Sequence, residues 1–127
     1  MVVSKVRSFT GLIAWQEAHK LVLRIYQVTK KFPLDERSGL ISQLRRAAVS
    51  ISSNIAEGFG RNSRREKQRF YEISQCSLTE VQNELLISKD VGYMTATDFQ
   101  EIAKHTIVIH KLIAGLKKSA FSAASIS

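Results

Sequence analysis

Apolar residues return every three or four positions through four stretches of the chain, the spacing expected of helices that bury one face. In the first stretch the stripe is Ala14, Ala18, Leu21, Val22, Ile25, Val28, Thr29 and Phe32, with Trp15 on its border. Pro33 ends it, because the residue before a proline is pushed out of the α region. The second stretch runs from about Gly39 to Gly58, with Leu40, Leu44, Ala48, Ile51 and Ile55 inward and Ala47 alongside. Gly58-Phe59-Gly60 is expected to close it with left-handed residues.

The third opens on Ser63-Arg64-Arg65-Glu66, a capping box in which hydroxyl and carboxylate each satisfy an unpaired backbone N–H. Its inner face reads Phe70, Ser74, Ser77, Leu78, Val81 and Leu85, and Gly92 falls in the following turn. A second box, Thr97-Asp98-Phe99-Gln100, is expected to open the fourth helix, whose stripe is Phe99, Ile102, Thr106, Ile109, Ile113 and Leu116. Four helices with short connections favour antiparallel neighbours. The expectation is an all-α, up-down-up-down antiparallel four-helix bundle, one domain over residues 1–127, with its core at about 9–118 and a frayed tail at 119–127.

Two surfaces look suited to assembly. On the fourth helix Ile107, Val108 and Leu112 lie outside the stripe on both flanks, and the strongly polar arc narrows to Lys104, Lys111 and Lys118. A helix apolar around most of its circumference usually meets more than one neighbour. On the second, Gln43, Ala47, Ser50, Asn54 and Glu57 form a small, polar seam beside the stripe, equally readable as a solvated flank. Gln43, Ser50, Asn54, Glu57, Val108 and Leu112 are therefore the candidate subunit-interface residues of an expected homo-oligomer.

Charge then adds a partner class. The 127 residues carry 19 Lys and Arg against 11 Asp and Glu, a net charge of +8. Such an excess favours polyanions, although solubility alone also accounts for it. Arg61, Arg64, Arg65, Lys67 and Arg69 cluster at a helix start, and Arg45-Arg46 sit on the helix before. Guanidinium forks match phosphate oxygens. Arg45, Arg46, Arg61, Arg64 and Arg65 are the candidate nucleic-acid contacts, to the backbone and without base readout. Glu66 and Glu72 nearby support the competing reading, a solvated helix start with internal ion pairs.

Catalytic chemistry finds no foothold. His105 and His110 are five apart, on different faces, and His19 is alone, so neither a zinc pair nor a di-iron pattern is present. There is no nucleophile elbow, P-loop or dinucleotide fingerprint. Cys76 reads as an inert packed thiol and allows no internal disulfide. No enzyme, metal or cofactor is expected. Met1 to Arg7 lacks the apolar core of a signal peptide, and no apolar run approaches the ~20 residues that span a bilayer. A soluble, cytoplasmic protein without a membrane partner is expected.

The run Gly39-Leu40, Gln43, Arg45-Arg46-Ala47, Ser50-Ile51, Asn54-Ile55-Ala56-Glu57-Gly58 and Gly60-Arg61 resembles the 23S rRNA intervening-sequence proteins, also called four-helix bundle proteins. Trp15, Phe32-Pro33, Phe70, Ser77 and Glu80 fit the same pattern, and the resemblance spans roughly Phe9 to Lys118. It departs at Ser74 and Cys76, where relatives usually have Ala and Gly. The resemblance implies a four-helix bundle that assembles as a pentameric ring. It also implies kinship with basic, nucleic-acid-binding accessory proteins of diversity-generating retroelements, and no established catalysis. Some relatives are encoded inside insertions in bacterial 23S rRNA genes. The function expected is that of a non-enzymatic, basic, oligomeric accessory protein binding RNA or DNA backbone. The alternative is a protein–protein assembly module whose charge serves solubility.

Overall fold

The computed structural model describes residues 8–126, so Met1 to Arg7 and Ser127 lie outside the described residues. After a 3-10 turn at Phe9–Gly11 come four helices: α1 (Ile13–Thr29), α2 (Ser42–Gly60), α3 (Arg64–Asp90) and α4 (Ala96–Ile126). Each packs on its neighbour in the chain, and α1 closes the ring against α4.

The side-chain ties fix the directions. Ser50 meets Ser77 and Ser74 reaches Ile51, while Lys67 reaches Gly58, so numbers rise along α2 as they fall along α3. Gln82 to Thr106 and Lys117 to Gln75 repeat the relation for α3 and α4. His105 with Glu17 and Arg24 with Glu101 repeat it for α1 and α4. The bundle runs up-down-up-down. α1 begins, α2 ends, α3 begins and α4 ends at one pole.

The stripes read from the sequence form the core. Leu21, Ile25, Leu44, Ile51, Ile55, Leu78, Val81, Leu85, Ile109 and Ile113 are all sealed from solvent. Burying a side chain of this size contributes about 1.5–3 kcal/mol, which is why the periodicity dictates the fold. Buried hydroxyls are satisfied locally: Thr29 donates to the Ile25 carbonyl at 2.6 Å, and Ser74 crosses to the Ile51 carbonyl at 2.8 Å.

Five local expectations are corrected. Gly58 and Gly60 do not take left-handed backbone; α2 runs through Gly60 and closes on the extended Arg61. Among the described residues the one positive φ is at Gly92, 89°, in the α3–α4 turn. α2 is preceded by a π-turn at Arg37–Ile41 with non-helical backbone at Gly39. A Cβ there would stand 2.5 Å from Glu36 Oε1, the atom that accepts the Leu40 N–H.

The α4 cap is Thr95, whose hydroxyl accepts the Asp98 N–H at 3.1 Å, and not Thr97. The core aromatic of α3 is Tyr71, while Phe70 is only half-buried. The α4 backbone continues past Lys118 to Ile126 where a frayed tail was expected. Among the described residues no helix is long and apolar enough to cross a membrane.

Candidate nucleic-acid interface

The α2–α3 turn places basic side chains at one pole of the bundle. Ser63 caps α3 by accepting the Glu66 N–H at 3.1 Å, the hydroxyl half of the expected box; the Glu66 carboxylate instead accepts the Ser63 hydroxyl at 3.5 Å and faces Arg61. Arg61 is held between two carboxylates, 2.9 Å from Glu57 and 4.0 Å from Glu66, with its guanidinium 4.7 Å above the Phe70 ring. Arg64 and Arg65 project from the first turn of α3, and Arg69 follows a turn later beside Glu72. Because α4 ends at this pole, Lys117 and Lys118 stand beside them: Gln68 donates to the Lys117 carbonyl at 3.4 Å, while the Lys117 ammonium donates to Gln75 at 3.0 Å and lies 3.8 Å from Glu72. These two lysines are invisible to a reading of the local cluster, since only the antiparallel fold brings them there.

Lys67 belongs to the fold rather than to the surface. Its ammonium donates to the carbonyls of Phe59 at 2.7 Å and Gly58 at 3.2 Å, satisfying the end of α2 where a cation is favoured by the helix dipole. Burial lowers its pKa from the usual lysine value.

The five candidate arginines do not form one patch. Arg45 lies on the opposite flank of α2, where its Nε donates to Thr29 Oγ1 at 2.9 Å and its guanidinium stacks 4.5 Å over Tyr26. It ties α2 to α1. Arg46 lines the α2–α3 groove with Glu80, about 22 Å along the helix from Arg61 at 1.5 Å per residue. Arg61, Arg64 and Arg65 are the three that share the pole.

The polar seam of α2 is occupied within the chain. Ser50 and Ser77 share a hydrogen bond of 2.7 Å, and Asn54 Nδ2 donates to the Ser50 carbonyl at 2.8 Å and to its hydroxyl at 3.1 Å. Glu57 turns to Arg61, outside that network. Gln43 is exposed at the groove mouth. Beside the seam, α3 buries Glu84, with Oε1 sealed from solvent and unpartnered. Burial and the nearby Glu80 push its pKa up to about 6. Sequence reasoning missed this residue.

The described residues hold no cluster of three or more metal-ligating side chains. His105 ties α4 to Glu17 of α1 at 2.9 Å, and hydrogen bonds from Lys20 and His105 lower the Glu17 pKa. His19 is exposed and stacks on Trp15, and His110 is exposed. Cys76 is exposed on the outer face of α3, not packed as expected. On α4, Val108 stands half-exposed, while Leu112 leans on the core.

A family model for the 23S rRNA-intervening sequence protein matches residues 10–115, nearly the whole bundle. The chain belongs to this family. The crystal structure of a protein of unknown function from the S23 ribosomal protein family of Bacteroides thetaiotaomicron superposes with a TM-score of 0.75. It is 20% identical and covers 84% of this chain and 99% of that one, a likeness that shows the fold. No curated protein matches the sequence.

In this intervening-sequence protein the stretch Asn54 to Gly58 packs on α3. Gly58 is buried, and a Cβ there would meet the Tyr71 ring at 2.6 Å. The motif thus has a packing reason at Gly58 and a hydrogen-bonding one at Asn54. Glu57 is its surface-facing member, paired with Arg61 just beyond it.

Proposed function

We propose that this protein is a non-enzymatic, cytoplasmic accessory factor that binds the backbone of RNA or DNA through the basic pole of a self-assembled bundle. The carrying observation is the convergence of Arg61, Arg64, Arg65, Arg69 and Lys118 on one pole, where Glu57, Glu66 and Glu72, the last of them shared with Lys117, are outnumbered. At the other pole Lys30, Lys31, Arg37 and Lys89 are balanced by Asp35, Glu36, Asp90 and Asp98. A bundle polarised in this way presents one end to a polyanion. Contacts of this kind release counterions, so affinity should fall steeply with salt, with a log–log slope of about −0.9 per phosphate neutralised on duplex DNA.

The test is filter binding of nuclease-treated protein to labelled RNA and duplex DNA across a salt series. Replacing Arg61, Arg64 and Arg65 together by Ala should weaken binding and flatten the slope by about two to three. An unchanged slope removes the pole from the site.

The competing reading is a protein-assembly module, and the apolar flanks of α4 favour it. Ile107 and Val108 are 52% and 48% exposed, and Leu86 of α3 is 46% exposed. Self-association would cover them. Light scattering at micromolar concentration should show a mass several times that of the chain. A stable monomer sinks the assembly part of the proposal and leaves the binding part standing.

A further inference from the structure

Between the Phe9–Gly11 turn and the last turn of α2 lies an open slot lined by Phe9, Ala56, Glu57, Gly60 and Arg61. One wall is the half-buried ring of Phe9, which is held in place by an edge-to-face contact with Trp15 at 5.3 Å. Trp15 is in turn backed by a parallel stack on His19 at 4.8 Å. The lining from α2 is slight: Ala56 is small, and nothing lies within 4 Å of the point where a Gly60 Cβ would stand. The rim carries a guanidinium and a carboxylate, Arg61 and Glu57, paired at 2.9 Å.

We infer that this slot takes an unpaired nucleobase, so that the strand recognised at the basic pole is single. The inference rests on the proposed nucleic-acid reading and adds to it a strand preference. A planar base fits a slot with an aromatic wall and little side-chain bulk facing it. Bases stack on such rings with little regard to sequence, because every base has a π-face. The rim supplies a donor and an acceptor for the base edge. Arg64 and Arg65, beyond the turn from Arg61, lie on the same pole as the phosphates that would flank that base. In a duplex the bases are already stacked and paired, and none can enter the slot without being pulled from the helix.

The experiment compares a short single-stranded RNA with the duplex of the same sequence, by fluorescence anisotropy at about 0.2 M salt, where the phosphate term is weakened. The parent protein should prefer the single strand. Phe9→Ala should lower single-strand affinity about tenfold and leave duplex affinity unchanged. Phe9→Leu, which keeps an apolar contact to Trp15 but no ring, should behave like the alanine variant. Trp15 is the one tryptophan in the chain, and its emission should change with single strand and stay unchanged with duplex.

Full single-strand affinity in Phe9→Ala overturns the slot. So does a loss shared equally by both ligands and restored by Phe9→Leu, which would make Phe9 a packing residue only. Binding that responds to the arginines but not to Phe9 sinks the slot alone. Absence of any binding by the parent at low salt sinks the proposed function with it.

Discussion

Replacing Glu84 by glutamine should stabilise the protein at neutral and alkaline pH by about 2 kcal/mol, and change little at pH 4. The carboxyl lies 5% exposed on the α2-facing side of α3, one oxygen buried without a partner. Burial first, and then Glu80, raise its pKa from 4.5 to about 6. A carboxyl whose folded pKa lies above its unfolded one binds its proton more tightly when folded. The associated stability is complete below about pH 4.5 and is lost as pH rises through 6. At about 1.4 kcal/mol per pKa unit, the lost part is about 2 kcal/mol.

Glutamine keeps the shape and never ionises. Urea unfolding at a series of pH values should show the difference between parent and variant growing from pH 4.5 to 7 and then flattening. Glu17 drives the opposite trend: with its pKa lowered, its stability is present above the unfolded pKa and lost as acid protonates it. That contribution is common to both proteins and cancels in the difference. A difference that stays constant with pH would mean that Glu84 ionises freely in the fold.

Gly58→Ala should cost about 1–3 kcal/mol despite the better helix propensity of alanine. The added methyl would stand 2.6 and 2.9 Å from the Tyr71 ring and 3.2 Å from Phe70 Cβ. Tyr71 is 3% exposed and packed into the core, so its ring cannot swing aside. The helices must separate at the point where the α2–α3 turn is anchored. Gly60→Ala is the control, since that position is helical with open space around it. It should be neutral or gain up to about 1 kcal/mol. Midpoints of urea unfolding should fall for Gly58→Ala alone, with the dependence on denaturant unchanged. Equal midpoints for the two variants would show that α2 and α3 yield at no cost.

The bundle was legible in the sequence because four stripes at a 3.6-residue period leave few other ways to bury Leu44, Ile51, Ile55, Ile109 and Ile113. Details decided by contact were not. Gly58-Phe59-Gly60 carries a helix-stop composition, yet the demand on Gly58 comes from Tyr71 on another helix. Phe70-Tyr71 offers two adjacent aromatics, and rotation of α3 by one residue exchanges their roles. Thr95 and Thr97 both stand in plausible caps, and only the hydrogen bond to Asp98 separates them.

The site was half legible. A run of arginines at a helix start is plain in the sequence. The addition of Lys118, the tie of Lys117 to Gln75 and Glu72, and the diversion of Lys67 into a cap and of Arg45 into the α1 joint depend on which helices are neighbours. Glu84 looked like any charged flank position, because a carboxylate on an amphipathic helix normally faces water.

The alternating direction of the helices has a practical corollary for handling the protein. Phe9, in the turn before α1, and the far end of α4 both lie at the pole that carries Arg61, Arg64 and Arg65. A purification tag or fluorophore attached next to Phe9 or at the far end of α4 would therefore hang over the surface whose binding it is meant to report, and a charged tag would bias the salt series. Cys76, exposed on α3 away from that turn and without a second thiol in the chain, is the better anchor for a dye or a surface tether.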